Sequence, residues 1–271
     1  MRPEEWTSKE AADAWAELEK KKPLIFHVTN AVATPLQANV CLAVGASPIM
    51  SQYPEETAEL MTLSQGFLVN LGTPTSAAVE AVERGMEALQ GKNRVTLLDP
   101  VGYGASRFRT NNADGLLARY KFSILKGNVG EISLLAKVGG STKGVDTLSG
   151  GDVRRGVLEL ARKHGCVACA TGEVDVFSDG EKVFNVRGGS RYLPLLSGSG
   201  CAAGTLVLSA AAACGDPLLG TLCGLLAMGM ASERAERKCT GSGSFAPLLI
   251  DELYRLSAED FTDSRPRWSV A

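Results

Sequence analysis

The sequence predicts a single-domain α/β protein built on a largely parallel central sheet with helices on both faces. Three observations carry this expectation. Short, uniformly apolar runs alternate along the chain with stretches of helical spacing, the pattern of a parallel sheet covered on both sides. Polar residues gather at the C-terminal ends of those runs, where open α/β sheets bind their ligands. The 271 residues, 45% hydrophobic and 21% charged, contain no Pro/Ser-rich linker or charge block that would divide them, and suffice for one large core.

Taken in order, residues 3–20 place Trp6, Ala11, Trp15 and Leu18 at helical spacing among charges, an amphipathic opening helix. Residues 23–29 read as a buried strand that ends at Asn30. A helix over residues 35–44 follows, closed by Gly45, and residues 47–50 form a short second strand or turn. After a helix around residues 55–63 comes a third strand, residues 67–71, and Gly72-Thr73-Pro74-Thr75 caps a helix reaching residue 89. Residues 94–100 are a fourth strand ending in the Asp99 carboxylate, with a loop over residues 101–105. Residues 122–128 repeat the plan with Glu131 in the first turn of the next helix, and residues 167–172 repeat it again. Residues 174–177 and 182–186 flank Asp179-Gly180 as an antiparallel hairpin at the sheet edge. Beyond it lie the stretch Ser197-Gly198-Ser199-Gly200-Cys201-Ala202-Ala203-Gly204, two apolar helices separated at Pro217, a last helix over residues 244–256 and a polar, irregular tail from Asp260.

The formal net charge is −2 with both signs interspersed, so there is no basic footprint for nucleic acid or an anionic membrane. Met1-Arg2-Pro3-Glu4-Glu5-Trp6 lacks an apolar signal core, and the apolar runs 202–214 and 218–231 each fall short of the roughly 20 residues that span a bilayer. A cytoplasmic protein with a small-molecule partner is the expectation. Seven scattered cysteines suit reduced core positions. Cys166-Val167-Ala168-Cys169 has the spacing of a metal or redox pair, but it lies in an apolar strand without a second pair, and neither role is expected. His27 and His164 belong to no triad or zinc pattern and read as structural.

The small residues of 197–204 let a backbone approach a ligand closely, and the helix behind them begins with amides that lack intrahelical partners. A phosphate or a developing negative charge would satisfy those amides, although such a stretch also serves as a plain connecting loop. It is not a Walker loop, its G-x-G-x-x-x-G is one residue too long for a dinucleotide fingerprint, and it is not G-x-S-x-G. Phosphoryl transfer remains, since it needs donors around the moving group, a divalent cation and a group that orients the acceptor hydroxyl. Gly198, Ser199 and Gly200 supply the donors; Asn30, Asn70, Asp99, Lys126, Asn128 and Thr171 are expected to share the crevice. Asp99 and Glu131 either hold Mg²⁺ through water or cap helices. Cys201 opens the helix, where the N-terminus is expected to lower its thiol pKa; it reads as a base, a positioning group or an inert core thiol.

Several ordered stretches together resemble the hydroxyethylthiazole kinases of the ribokinase-like superfamily: His27-Val28-Thr29-Asn30, Gly45-Ala46-Ser47-Pro48-Ile49-Met50, Leu98-Asp99-Pro100-Val101-Gly102, Gly127-Asn128 with Glu131, Thr171-Gly172-Glu173-Val174-Asp175, Gly198-Ser199-Gly200-Cys201 and Gly241-Ser242-Gly243-Ser244-Phe245. The resemblance implies a ribokinase-like three-layer α/β/α fold. It also implies Mg²⁺-dependent transfer of the ATP γ-phosphate to the primary hydroxyl of 4-methyl-5-(2-hydroxyethyl)thiazole, in thiamin biosynthesis or salvage. Met50 falls at a thiazole-contacting position and Gly198 at a substrate-contacting one, with Asn30 assigned to the same side. Lys126 and Thr171 fall at nucleotide-contacting positions, with Asn128 beside them, and Asp99 and Glu131 at the metal-associated carboxylates. Cys201 stands where most of the superfamily carries an aspartate base, and Lys126 where the family commonly has arginine, keeping the charge without the bidentate fork. A homotrimer with active sites between subunits is implied as well. The alternatives are a hydroxymethylpyrimidine-type kinase, which would normally keep aspartate at position 201, or a non-catalytic homologue, which would be expected to lose Asp99, Glu131 or the turn.

Overall fold

A computed structural model describes residues 6–138 and 150–270. The chain runs α1 (Ser8–Lys21), β1 (Leu24–Val28), α2 (Thr34–Ala43), β2 (Ser47–Met50), α3 (Pro54–Leu63), β3 (Gly66–Asn70), α4 (Ser76–Ala88) and β4 (Val95–Asp99). It continues through α5 (Arg107–Arg119), β5 (Ile124–Asn128), α6 (Val129–Ala136), α7 (Gly150–His164), β6 (Val167–Thr171), β7 (Val174–Ser178) and β8 (Val183–Arg187). The last elements are α8 (Ser199–Cys214), α9 (Pro217–Glu236), α10 (Ser242–Arg255) and β9 (Trp268–Val270). Among the described residues the strands make one sheet in the order β2-β1-β3-β4-β5-β6-β7-β8-β9, parallel from β2 through β6 and antiparallel beyond.

Alternation along each strand divides the core in two. Ile25, Leu68, Leu97 and Ile124 face one layer, where Trp15, Cys41, Leu206, Leu222 and Leu249 bring in α1, α2, α8, α9 and α10. Phe26, Phe67, Leu98 and Leu125 face the other, with Met61, Val82, Leu116, Ile132 and Val157 from α3 to α7. The result is the expected three-layer α/β/α arrangement. Two glycines bring α8 and α9 together: a Cβ on Gly224 would lie 2.4 Å from the Val207 nitrogen, and one on Gly220 2.3 Å from the Ala211 Cα. No helix among the described residues is long and apolar enough to cross a membrane.

The structure departs from the sequence reading at both ends. Residues 1–5, which the opening helix was expected to enter at Pro3, lie outside the described residues, and α1 begins at Ser8 behind a Thr7–Glu10 capping box. The tail is not irregular: it makes short turns, stacks Phe261 on Trp15 at 4.8 Å between ring centroids, and adds β9 antiparallel to β8. The β7–β8 hairpin is therefore one strand in from the edge. Cys166 and Cys169 are buried, with burial pushing the Cys166 thiol up to about 12 and raising that of Cys169 as well, in keeping with inert core residues.

Candidate active site

The turn before α8 is held by its own polar atoms. Ser199 donates its amide to the Leu196 carbonyl at 3.1 Å and its hydroxyl to the Leu193 carbonyl at 2.8 Å. Gly198 sits at the helix start with φ +85°, a left-handed conformation that favours glycine, and a Cβ there would lie a tight 3.1 Å from the Ala33 Cβ. No side chain caps α8, which leaves its mouth to the backbone amides of Gly200 and Cys201.

On one side of this mouth three side chains lock together. Asn70 Nδ2 donates to Cys201 Sγ at 3.2 Å, and Asn30 Nδ2 donates to Asn70 Oδ1 at 2.8 Å and reaches Sγ at 3.5 Å. The amide oxygens are used as well, Asn70 Oδ1 accepting the Gly72 amide at 3.0 Å and Asn30 Oδ1 the Ala33 amide at 2.9 Å. Burial, then the charge of Asp99, raise the Cys201 thiol above its ordinary value, and Lys126 with the two asparagines offsets this only in part. The expected lowering of the thiol pKa is thus overturned. His27 lies farther down, fully buried, Nδ1 3.1 Å from the Ile25 carbonyl and Nε2 3.3 Å from Thr205 Oγ1, and burial lowers it to about 4.

Beneath the first turn of α8 lies a buried ion pair, Lys126 Nζ 3.3 Å from Asp99 Oδ2, the two residues 1% and 2% exposed. A Cβ on Gly200 would be 3.8 Å from Lys126 Nζ and one on Gly204 3.8 Å from Asp99 Oδ2, so the small residues of the turn let the pair come up against its backbone. Burial pushes the Asp99 carboxyl up to about 6, Lys126 working against this and Glu131 adding to it; burial also disfavours the charged Lys126, and only the surrounding acidic groups together, Asp99 foremost, outweigh it and keep the lysine protonated. Glu131 is a cap: Oε2 accepts the Asn128 amide at 2.8 Å and Oε1 the Gly102 amide at 2.7 Å, while Asn128 Oδ1 accepts the Glu131 amide at 2.8 Å. Among the described residues no three His, Cys, Asp or Glu side chains are grouped to bind a metal directly. Two carboxylates, one paired with lysine and one capping backbone, suit a hard cation that keeps most of its water.

On the other side of the turn a cleft of about 470 Å³ opens. Ser199 and Gly200 form its near edge, Asn128, Thr171, Gly172 and Asp175 one wall, and Leu225, Met228 and Gly229 of α9 another. Thr171 Oγ1 donates to the Gly127 carbonyl at 3.2 Å, and Asp175 Oδ1 accepts the Gly172 amide at 3.0 Å. Burial pushes the Asp175 carboxyl up to about 6 against the Gly172 bond and the charge of Lys126.

Of the residues expected at the site, Gly198, Ser199, Gly200, Cys201, Asn30, Asp99 and Lys126 converge at the turn, and Thr171 and Asn128 line the cleft. Met50 stands off at the end of β2, half-buried and in register with His27. Lys126 lies below the cleft as the partner of Asp99 and is not among its lining residues. Asp175, Leu225 and Met228 are not among the residues the sequence points to; Asp175 lies near the start of β7, four residues beyond the polar end of β6, while the other two lie in a helix that is apolar nearly all round.

The hydroxyethylthiazole kinase family matches residues 15–259. A hydroxyethylthiazole kinase of Brachyspira hyodysenteriae is 37% identical over 245 residues, 90% of this chain and 92% of that protein. The structure of a hydroxyethylthiazole kinase protein from Pyrococcus horikoshii superposes with a TM-score of 0.88 at 31% identity, covering 96% of this chain and 98% of that one. A ribokinase-like superfamily protein of Enterococcus faecalis matches at a TM-score of 0.61 and 9% identity, over 95% and 92% of the two chains, a likeness of fold alone. The chain belongs to the hydroxyethylthiazole kinase family.

Proposed function

We infer that this protein transfers the γ-phosphoryl group of ATP to the primary hydroxyl of 4-methyl-5-(2-hydroxyethyl)thiazole, giving the phosphate used to build thiamin phosphate. One observation carries the residue assignment: the mouth of α8 borders both the Asn30–Asn70–Cys201 cluster and the 470 Å³ cleft, with the Lys126–Asp99 pair directly beneath. A phosphoryl group leaving a nucleotide in the cleft for a hydroxyl beside Cys201 passes the Gly200 and Cys201 amides, whose fixed dipoles match charge that builds up in transit. Lys126 adds positive charge at the same point. Thr171 and Asn128 contact the nucleotide, and Asn30, Gly198 and Met50 belong to the acceptor side.

Mg²⁺ is the proposed cation, placed near Asp99 and Glu131 chiefly through water, where it would neutralise phosphate charge. Cys201 is better suited to orienting the acceptor than to taking its proton, because its thiol is held neutral. A homotrimer that completes the acceptor pocket is part of the proposal. The cavity beside Asn70 within one chain, lined by Val28, Thr29 and Gln52, holds only about 10 Å³, room for about one water. Exposed Val32 and Tyr53 after β1 and β2, 62% and 70% exposed, offer an apolar surface for a neighbouring copy. Localisation in the cytoplasm is part of the same reading.

The test is ADP release from Mg-ATP by purified protein over hydroxyethylthiazole, hydroxymethylpyrimidine and simple sugars. Turnover of the thiazole alone is expected, and turnover of another alcohol alone would overturn the assignment. Light scattering on the same preparation reads the oligomer.

A further inference from the structure

One part of the cleft wall is bare backbone held by contacts from the last described segment of the chain. Gly188 lines the cleft, and Gly188 and Gly189 follow β8 with φ +130° and +120°. A Cβ on Gly188 would fall 2.8 Å from Glu233 Oε1 and 2.9 Å from Arg267 Nη1. Glu233, on α9, accepts the Gly189 amide through Oε1 at 3.1 Å. The Arg267 fork grips the same carboxylate, Nη1 to Oε1 at 2.8 Å and Nη2 to Oε2 at 3.0 Å. Burial disfavours the charged form of Glu233, yet the bonds from Arg267 and Gly189 together with the charges of Arg267 and Arg237 outweigh it and hold the carboxyl below its usual range. Arg267 immediately precedes β9, whose Trp268 pairs with Val186 at the end of β8. The tail therefore reaches the Gly188-Gly189 loop twice, through the strand ladder and through this side-chain relay.

We propose that Arg267 and Glu233 are positioning residues of the nucleotide site: the guanidinium orients the carboxylate, the carboxylate holds the Gly189 amide, and the wall at Gly188 is set before nucleotide arrives. The inference rests on the cleft being the nucleotide site. Two successive glycines in the left-handed region lose more conformational freedom on ordering than other residues, so a free loop would have to be ordered at the moment of binding. A bidentate, charge-assisted grip on a carboxylate that is also the loop's acceptor removes that cost in advance.

The experiment separates positioning from an ordinary stabilising ion pair. Affinity for a non-hydrolysable ATP analogue is measured by calorimetry without acceptor, alongside thermal melting, kcat and both KM values. Arg267→Met is expected to weaken analogue binding by about tenfold, the scale of one charge-assisted hydrogen bond, and to leave kcat and the thiazole KM within about twofold. The exchange Glu233→Arg with Arg267→Glu restores a pair of opposite charges and the melting temperature but not the affinity, because arginine has no acceptor for the Gly189 amide. Glu233→Gln keeps an acceptor oxygen and is expected to stay within about threefold of the parent. Affinity that returns together with stability in the exchanged protein, or Arg267→Met binding the analogue as well as the parent, would overturn the proposal. An unaltered protein that binds the analogue but leaves the thiazole untouched refutes the acceptor assignment alone, and the affinity series still decides the positioning role. Failure of the unaltered protein to bind nucleotide refutes both.

Discussion

The two flanks of the α8 turn are made of different materials. Toward the parallel strands, Asn30, Asn70 and Cys201 spend their polar atoms on one another and on neighbouring amides, over a buried lysine–aspartate pair. Toward the antiparallel strands, the cleft is walled largely by glycine backbone at Gly172, Gly188 and Gly229 and by the apolar Leu225 and Met228. A network of side chains fixes where individual atoms stand, which a reacting hydroxyl and a moving phosphoryl group require. Backbone and apolar walls fix a shape, which suffices to hold a nucleotide whose far end does not react. Damage on the first flank should therefore appear in stability and kcat, and damage on the second in nucleotide affinity.

The largest effect should come from breaking the buried pair. Lys126→Met leaves the Asp99 carboxylate without its partner in a site 2% exposed, and removing one member of such a pair costs about 3–5 kcal/mol. Denaturant unfolding should show this loss, and adding Asp99→Asn should recover most of it while activity stays absent. Equal stability of Lys126→Met and the parent would mean that the pair does not anchor this flank. Next in size is Gly198→Val, which forces a branched side chain into a left-handed position 3.1 Å from Ala33. Misplacing the anion-hole amides should lower kcat by about 10²–10³-fold, with nucleotide affinity changed by less than about threefold. Full activity in this variant would remove the turn from the mechanism.

Protonation offers a third way to sharpen the contrast, since the catalytic flank rests on a neutral buried histidine. His27 titrates near 4 in the folded protein against an ordinary value of 6.5, so its neutral form is the one the fold accepts. Its contribution is fully present above pH 6.5 and is lost as pH falls toward 4, on the order of 3 kcal/mol for a shift of this size. Chemical denaturation across that window isolates this contribution as the difference in slope between the parent and His27→Gln, because the raised carboxyls of Asp99 and Asp175 pull the slope of both proteins the other way. An unchanged slope would place the acid sensitivity elsewhere.

The strand ends were legible because Asn30, Asn70, Asp99 and Lys126 each close or nearly close a uniformly apolar run, and period and polarity alone mark such points. The two uses of Glu131 were not separable in sequence, since its second partner, the Gly102 amide, comes from another loop. The thiol of Cys201 was misjudged for a related reason: a helix start is visible along the chain, whereas burial and the charge of Asp99 are tertiary facts. Trp268-Ser269-Val270 is too short to announce a strand, and only β8 beside it makes it one. Leu225 and Met228 vanished into α9, whose faces are buried against α8, α10 and the sheet, leaving no polar contrast to pick out a lining residue.

Cys201 stands where the two flanks meet, and its substitution should have the smallest effect. Removing a true general base costs about 10²–10⁴-fold. A thiol held above its ordinary pKa is protonated at neutral pH and has no capacity to act as one, so Cys201→Ala should lose no more than about tenfold in kcat, the share of an orienting contact. Cys201→Asp should equal or exceed the parent, because its carboxylate can accept from Asn70 Nδ2 and Asn30 Nδ2, which already donate to the sulfur, and can take the proton that the neutral thiol leaves in place. The pH profile completes the test. The parent should show no limb from Cys201 ionisation near neutrality, and a loss of about 10³-fold in Cys201→Ala would restore the thiol as base.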